Sequence, residues 1–355
     1  MSVNKARKVY IDVIRIIGAF MVLYIHIGSF SAWEHEAMSL PTRIIYMLPA
    51  TIAPSAVPLF MMISGCLLLS KRDSIKDIWT KRVAKAAMLI LCVTILQCLY
   101  EKFYLGQDFS KFIYSLINLD DKNVVYWFLY WYLSFSIMLF CYQQIAQVLD
   151  TEHIIYISIF YIIFNTVLPV VNLVLSKAGF ETLQFSKSLS LPLFVANGFF
   201  YPFLGYYIGN KCENNKVLKN TPLLVAIIFL CVIITMFLNL YFKVDGANVP
   251  ARNYLTPIIT VCIFQIIKNI FANINIAEDS KLYKLITFFG SNAIGIYVFQ
   301  VLYSILVGPS TFNFIMKLIP IRKIAGIFNL TLAFVVMAVV TAIIKNLPIF
   351  KKALK

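Results

Sequence analysis

The sequence predicts an all-α fold: a polytopic membrane helical bundle of about ten transmembrane helices, with both termini cytoplasmic. Three observations carry this. Of 355 residues, 61% are hydrophobic and only 13% charged, more apolar surface than a soluble domain of this length needs. Apolar stretches long enough to cross a ~30 Å hydrocarbon layer recur along the whole chain. Lys and Arg gather in short loops that share one side if the number of spans is even.

The expected spans are Val9–Phe30, Ile44–Leu69, Val83–Leu99, Val124–Ala146, Ile154–Leu175, Leu189–Ile208, Leu223–Phe242, Tyr254–Ile274, Leu285–Leu306 and Ile324–Ile344. The first is too long for a cleaved signal peptide. It also contains Asp12 and Arg15, and no small-residue cleavage pattern follows Phe30. The second contains Pro49, Pro54 and Pro58. Part of it should be a broken or interfacial helix, tolerable only where protein or water satisfies the freed backbone groups. Asp108 to Leu119 is expected along the membrane surface. No internal repeat, linker or low-complexity tract divides the chain, which reads as one membrane domain over residues 1–355.

Orientation follows from the basic residues. Lys5, Arg7 and Lys8 precede the first span, and Lys71, Arg72, Lys76, Lys81, Arg82 and Lys85 follow the second. Lys211, Lys216 and Lys219 follow the sixth, Lys281 and Lys284 the eighth, and Lys345, Lys351, Lys352 and Lys355 the tenth. All are cytoplasmic with ten spans. The loop with Asp150, Glu152 and His153 is the one cytoplasmic loop that gives no support.

Composition also excludes functions. The formal charge of +15 flanks membrane segments, so nucleic-acid binding is not expected. Six of the seven Cys lie in apolar segments, Cys212 lies in a loop, and no CxxC pair occurs. They read as small packing residues. Three scattered His do not suit a metal site.

Four constellations remain. Arg15 and His26 are eleven residues apart. At about 100° per residue that spacing returns to nearly the same helical face. Asp12 lies one turn before Arg15. A stripe of ionisable residues inside a membrane span points to function by default. A snorkelling Arg with its carboxylate partner would explain Asp12 and Arg15 alone, but it leaves His26, about three turns deeper, without a reason. The second constellation is Lys81, Arg82 and Lys85. It reads either as positive-inside anchoring or as a phosphate site for a polyanionic donor such as a nucleotide or coenzyme A. The third is Ser64-Gly65 in the second span, a close-packing pair or, with a base beside it, a nucleophile. The fourth is aromatic: Tyr126, Trp127, Tyr130, Trp131 and Tyr132 form an interfacial belt or a platform for a sugar. In the ninth span Ser291-Asn292 and Tyr297 to Gln300 either line a pocket or bond between helices.

Tyr10-Ile11-Asp12-Val13-Ile14-Arg15, with His26 beyond, resembles the opening motif of the acyltransferase 3 family of integral membrane proteins. Val57-Pro58-Leu59-Phe60 through Ser64-Gly65 resembles its second-helix motif. Trp127-Phe128-Leu129-Tyr130 resembles its middle aromatic stretch, and Gly295-Ile296-Tyr297 its late motif. The matches run in order over most of the chain and resemble the compact branch without an extracellular domain.

The resemblance implies an O-acyltransferase. It would move an acyl group, usually acetyl, from cytoplasmic acyl-CoA to a hydroxyl of a cell-surface or lipid-linked glycan, without a metal. It implies catalytic roles for His26, Arg15 and Asp12. Donor contacts would come from Arg82, Lys85, Lys81 and Ser64, and acceptor contacts from Trp127, Tyr130, Tyr297 and Gln300. Lys85 departs from the family's paired-arginine motif. Val125 and Gln300 stand where many members have His, which leaves His26 as the strong imidazole candidate. The expected location is the bacterial plasma membrane. The expected partners are membrane lipid and the glycan acceptor, with homo-oligomers open. The rival reading is a transporter or flippase for a glycan or lipid-linked substrate.

Overall fold

The computed structural model describes residues 7–27, 39–106, 112–117, 124–184, 197–212, 215–242, 254–271, 274, 276–347 and 350. Of these described residues 86% are helical, and no strand occurs among them. The helices are α1 (Val9–His26), α2 (Leu40–Leu68), α3 (Ile75–Leu105), α4 (Phe112–Ile117), α5 (Trp127–Ile137), α6 (Leu139–Val148) and α7 (Thr151–Lys177). They continue with α8 (Asn197–Asn210), α9 (Lys216–Lys219), α10 (Thr221–Tyr241), α11 (Thr256–Phe271), α12 (Lys281–Leu306), α13 (Gly308–Leu318) and α14 (Arg322–Ile344).

Seven of these are long and apolar enough to cross a membrane: α1, α2, α3, α7, α10, α12 and α14. The other three expected spans take different forms. Val124–Ala146 is divided at Met138 into α5 and α6. Helix α11 is a shorter apolar helix, and α8 has 14 residues, with residues 185–196 outside the described set. The proline-rich second span is one helix with a 3₁₀ turn at Ala53–Ser55, as Pro54 and the neighbouring prolines require. Of the expected surface segment Asp108 to Leu119, only residues 112–117 are described, and they are helical. Helix ends follow ordinary chemistry. Gly106 takes φ +65° to end α3. Asp150 caps α7 by accepting the His153 N–H at 3.1 Å. That bond, with the His153 ring second, holds the Asp150 carboxyl below its ordinary range.

The chain forms two compact units, each drawn from two stretches: residues 1–70 with 146–290, and residues 71–145 with 291–355. In the first unit the most extensive packing joins residues 56–68 of α2 to α8. Glycines set this distance. A Cβ on Gly65 would enter the Pro202 backbone, and one on Gly205 would enter the Met62 backbone. One on Gly209 would meet the Cys66 side chain. Gly205 and Gly209 are four residues apart, the small-xxx-small spacing that lets membrane helices approach backbone to backbone. Ser64 donates to the Phe60 carbonyl within its own helix at 2.9 Å, and Gly65 beside it is a close-packing site.

Helix α1 packs on α2 and α11. Tyr10 lies edge-on to Phe264 (6.3 Å) and its hydroxyl lies 3.6 Å from Cys66 Sγ. Lys268 Nζ reaches the Ile208 carbonyl at 2.6 Å, and Asn269 bonds the Leu218 carbonyl at 2.8 Å. Both satisfy acceptors at helix ends. Phe229, Leu230, Ile233 and Phe237 form an exposed apolar face on α10, as a lipid-facing helix requires.

In the second unit two tyrosines clasp α12 to the start of α5. Tyr126 donates to the Val298 carbonyl (3.0 Å) and Tyr297 to the Val125 carbonyl (2.6 Å). Their rings meet edge-on at 6.0 Å. Asn329 on α14 accepts from Thr311 (2.7 Å) and Tyr303 (3.3 Å), and Lys345 Nζ bonds Asn292 Oδ1 at 2.8 Å. Polar bonds of this kind hold membrane helices together where burial alone provides little drive.

Candidate active site

Helix α1 carries the first constellation as the spacing requires. Asp12, in the first turn of the helix, is only 1% exposed, and its carboxylate lies between two guanidinium groups. Arg15 Nη1 bonds Oδ1 at 2.9 Å, and Arg7 Nε bonds Oδ2 at 2.5 Å. Asp12 thereby raises the Arg7 pKa further above its ordinary value. Arg7 Nη2 also approaches the Thr287 carbonyl at 3.4 Å. Gly290 of α12 lies against the Asp12 side chain, where a Cβ would overlap the carboxylate. The pairing of Asp12 with Arg15 was legible in the sequence. Arg7, read there as an anchor, is the second partner.

The formal charge of the three groups is +1. Only one nitrogen of Arg15 has a partner among the described residues, and its side chain is 31% exposed. Such a group holds an anion in place of water with little rearrangement. Beyond it the same face carries Gly18, Ala19 and Val22, all buried, and then His26 at the last position of α1. His26 lies about 16 Å along the axis from Arg15. It is exposed and makes no hydrogen bond or ion pair among the described residues. The imidazole is therefore open to an external group.

The second constellation lies in the other unit, with Lys81 and Arg82 on a π-helical stretch of α3, Ile78–Val83, and Lys85 in the α-helical turn after it. Such wide turns are frequent at functional sites. The three basic residues differ in surroundings. Lys81 is 67% exposed and paired with Asp77 at 2.6 Å, the geometry of a surface ion pair. Arg82 and Lys85 are half-buried one turn apart. Arg82 has no partner among the described residues.

The acceptor-binding expectations divide in the same way. Trp127 is 40% exposed. Tyr130 donates to the Leu116 carbonyl at 3.1 Å, and Tyr297 is buried in the clasp with Val125. Gln300 is fully buried, and neither of its amide atoms has a hydrogen-bond partner among the described residues. A buried amide without partners carries a desolvation penalty of about 1–3 kcal/mol. No group of three or more His, Cys, Asp or Glu able to hold a metal occurs among the described residues.

No curated protein and no solved structure matches this chain. A family model described as an acyltransferase domain, acyltransferase 3, matches residues 8–345. That range contains Asp12, Arg15, His26, the basic face of α3, the tyrosine clasp and Gln300. The multi-pass helical architecture, the charged face of α1 and this match over nearly the whole chain agree: the chain belongs to the acyltransferase 3 family and is a multi-pass membrane acyltransferase.

Proposed function

We propose that the protein is an O-acyltransferase. It takes an acyl group, acetyl first among the candidates, from cytoplasmic acyl-CoA and transfers it to a hydroxyl of a cell-surface or lipid-linked glycan in a bacterial plasma membrane. The observation that carries this reading is the single helix α1. It presents near one end an arginine bonded through one nitrogen, and at the other an imidazole with no hydrogen bond, among the described residues.

In this reading Arg15 holds an anionic part of the donor. Arg82 and Lys85 also bind donor phosphates, a role that rests on their charge and half-buried position in their own unit. His26 accepts the proton of the acceptor hydroxyl as its oxygen attacks the thioester carbonyl. The C–S bond then breaks, the sulfur leaves as thiolate and takes the proton from the imidazolium, and the products are an ester and CoA. If the imidazole nitrogen takes the acyl group first, the net reaction is the same. Gln300 offers a donor and an acceptor to an acceptor hydroxyl, which supports a substrate role over one in helix bonding. Trp127 supplies an exposed ring for a sugar face. Membrane lipid surrounds the protein, and the reaction uses no metal.

The test uses purified protein in nanodiscs with acetyl-CoA and a membrane glycan fraction from the producing cells. CoA release matched by ester formation on the glycan is expected. Movement of the glycan or of intact acyl-CoA without thioester cleavage would favour the transporter reading.

A further inference from the structure

The acyltransferase reading gives Arg15 a ligand but gives Arg7 no task. Their shared partner suggests one. Asp12 is buried against Gly290, so its carboxylate has little freedom to move. One oxygen is held by Arg7 and the other by Arg15. Among the described residues no other carboxylate contacts either guanidinium. Without Arg7, both Asp12 oxygens would face Arg15 alone. A fork-to-fork pair would then form, the planar geometry that guanidinium and carboxylate prefer. The local formal charge would fall from +1 to 0.

We propose that Arg7 is a positioning residue. By occupying one Asp12 oxygen, it keeps Arg15 bound through a single nitrogen and leaves its other donors, with a net positive charge, to an anionic group of the donor. The chemistry recognised is a phosphate of the acyl-CoA. The role rests on the acyltransferase reading, and it concerns donor affinity rather than the chemical step. Arg7 lies outside the apolar span of α1, so it acts on Arg15 through Asp12 and touches no reacting atom. Gly290 completes the arrangement, because any side chain there would displace the carboxylate that joins the two arginines.

The experiment measures CoA release from acetyl-CoA by protein in nanodiscs, with the glycan fraction saturating. Wild type is compared with Arg7→Ala, Arg7→Gln, Arg7→Lys and the double variant Arg7→Ala/Asp12→Asn. Arg7→Ala and Arg7→Gln should raise the KM for acetyl-CoA on the order of tenfold, the scale of a weakened charge-assisted contact. They should change kcat less than about threefold, since no group at the reacting centre is altered. Arg7→Lys should recover most of the affinity. In the double variant Arg15 is released from its carboxylate, so the KM should move back toward wild type. A purely structural clip predicts no such return, because the Arg7–Asp12 ion pair it needs is absent from the single and the double variant alike. Thermal stability of each variant, followed by loss of the monodisperse species, reports folding separately.

An active wild type with unchanged KM in Arg7→Ala and Arg7→Gln would overturn the proposal alone. So would a double variant weaker than the single one. A wild type that releases no CoA would overturn the acyltransferase reading, and this role with it.

Discussion

Replacing Gly65 with alanine should destabilise the protein although alanine is the better helix former. Alanine gains up to about 1 kcal/mol over glycine inside a helix. Against this stands the approach of α8. The Cβ would lie inside the Pro202 carbonyl, where the obstacle is backbone and the proline ring stiffens it. Overpacking of a well-filled site costs typically 1–3 kcal/mol, and a rigid obstacle puts this case at the upper end. The net loss is about 2 kcal/mol, roughly a thirtyfold change in the folded ratio at 1.4 kcal/mol per tenfold. Gly205→Ala meets the Met62 backbone and should behave alike. Gly209→Ala meets the Cys66 side chain, which can move, so its loss should be smaller. The assay is reversible unfolding of the reconstituted protein, or the midpoint of its thermal loss from the monodisperse state. If Gly65→Ala and Gly205→Ala are neutral or stabilising while Gly209→Ala is worst, the two helices are not in backbone contact and the packing argument fails.

Three further outcomes follow from the site. His26→Ala should reduce acyl transfer 10²–10⁴-fold, the range for a positioned acid–base group, with normal expression; retention of more than about a tenth of the activity would remove the role. Arg82→Ala should raise the acyl-CoA requirement more than that for the glycan, and Lys85→Arg should be tolerated; equal weakening toward both substrates would assign the pair to membrane anchoring. Gln300→Leu should leave thermal stability unchanged or improve it, because no hydrogen bond is lost and the buried amide is removed. The same variant should weaken use of the glycan, and full activity would show that Gln300 touches no substrate.

The sequence carried the helical class and the face of α1 because both depend on local spacing. Asp12, Arg15 and His26 keep the same face in any regular helix. The second partner of Asp12 was harder to read. Arg7 stands five residues away, outside the apolar run, where positive-inside anchoring explains a basic residue equally well. The glycine pair Gly205 and Gly209 is a signal legible in the sequence, since its four-residue spacing is that of close helix approach. Tyr126 belongs to the same aromatic set as Trp127 and Tyr297 to the polar set of the ninth span, yet their hydroxyls bond carbonyls about 170 residues away. No local pattern distinguishes such a clasp from a sugar platform. The break at Met138 and the π turn at Ile78–Val83 leave the apolar period nearly unchanged, so periodicity passes over both.

The most direct test of the central claim is sidedness. Sealed vesicles with the basic loops facing the medium receive acetyl-CoA labelled on its acetyl group. The proposed ten-span topology places those loops, and both termini, on the cytoplasmic side. It places His26 toward the opposite half of the membrane, about 16 Å from Arg15 along α1. The account predicts that free CoA accumulates outside the vesicles, while the label appears as an ester on glycan in the lumen, and that His26→Ala abolishes both. Intact acetyl-CoA or unmodified glycan crossing the membrane with the thioester uncleaved would contradict it.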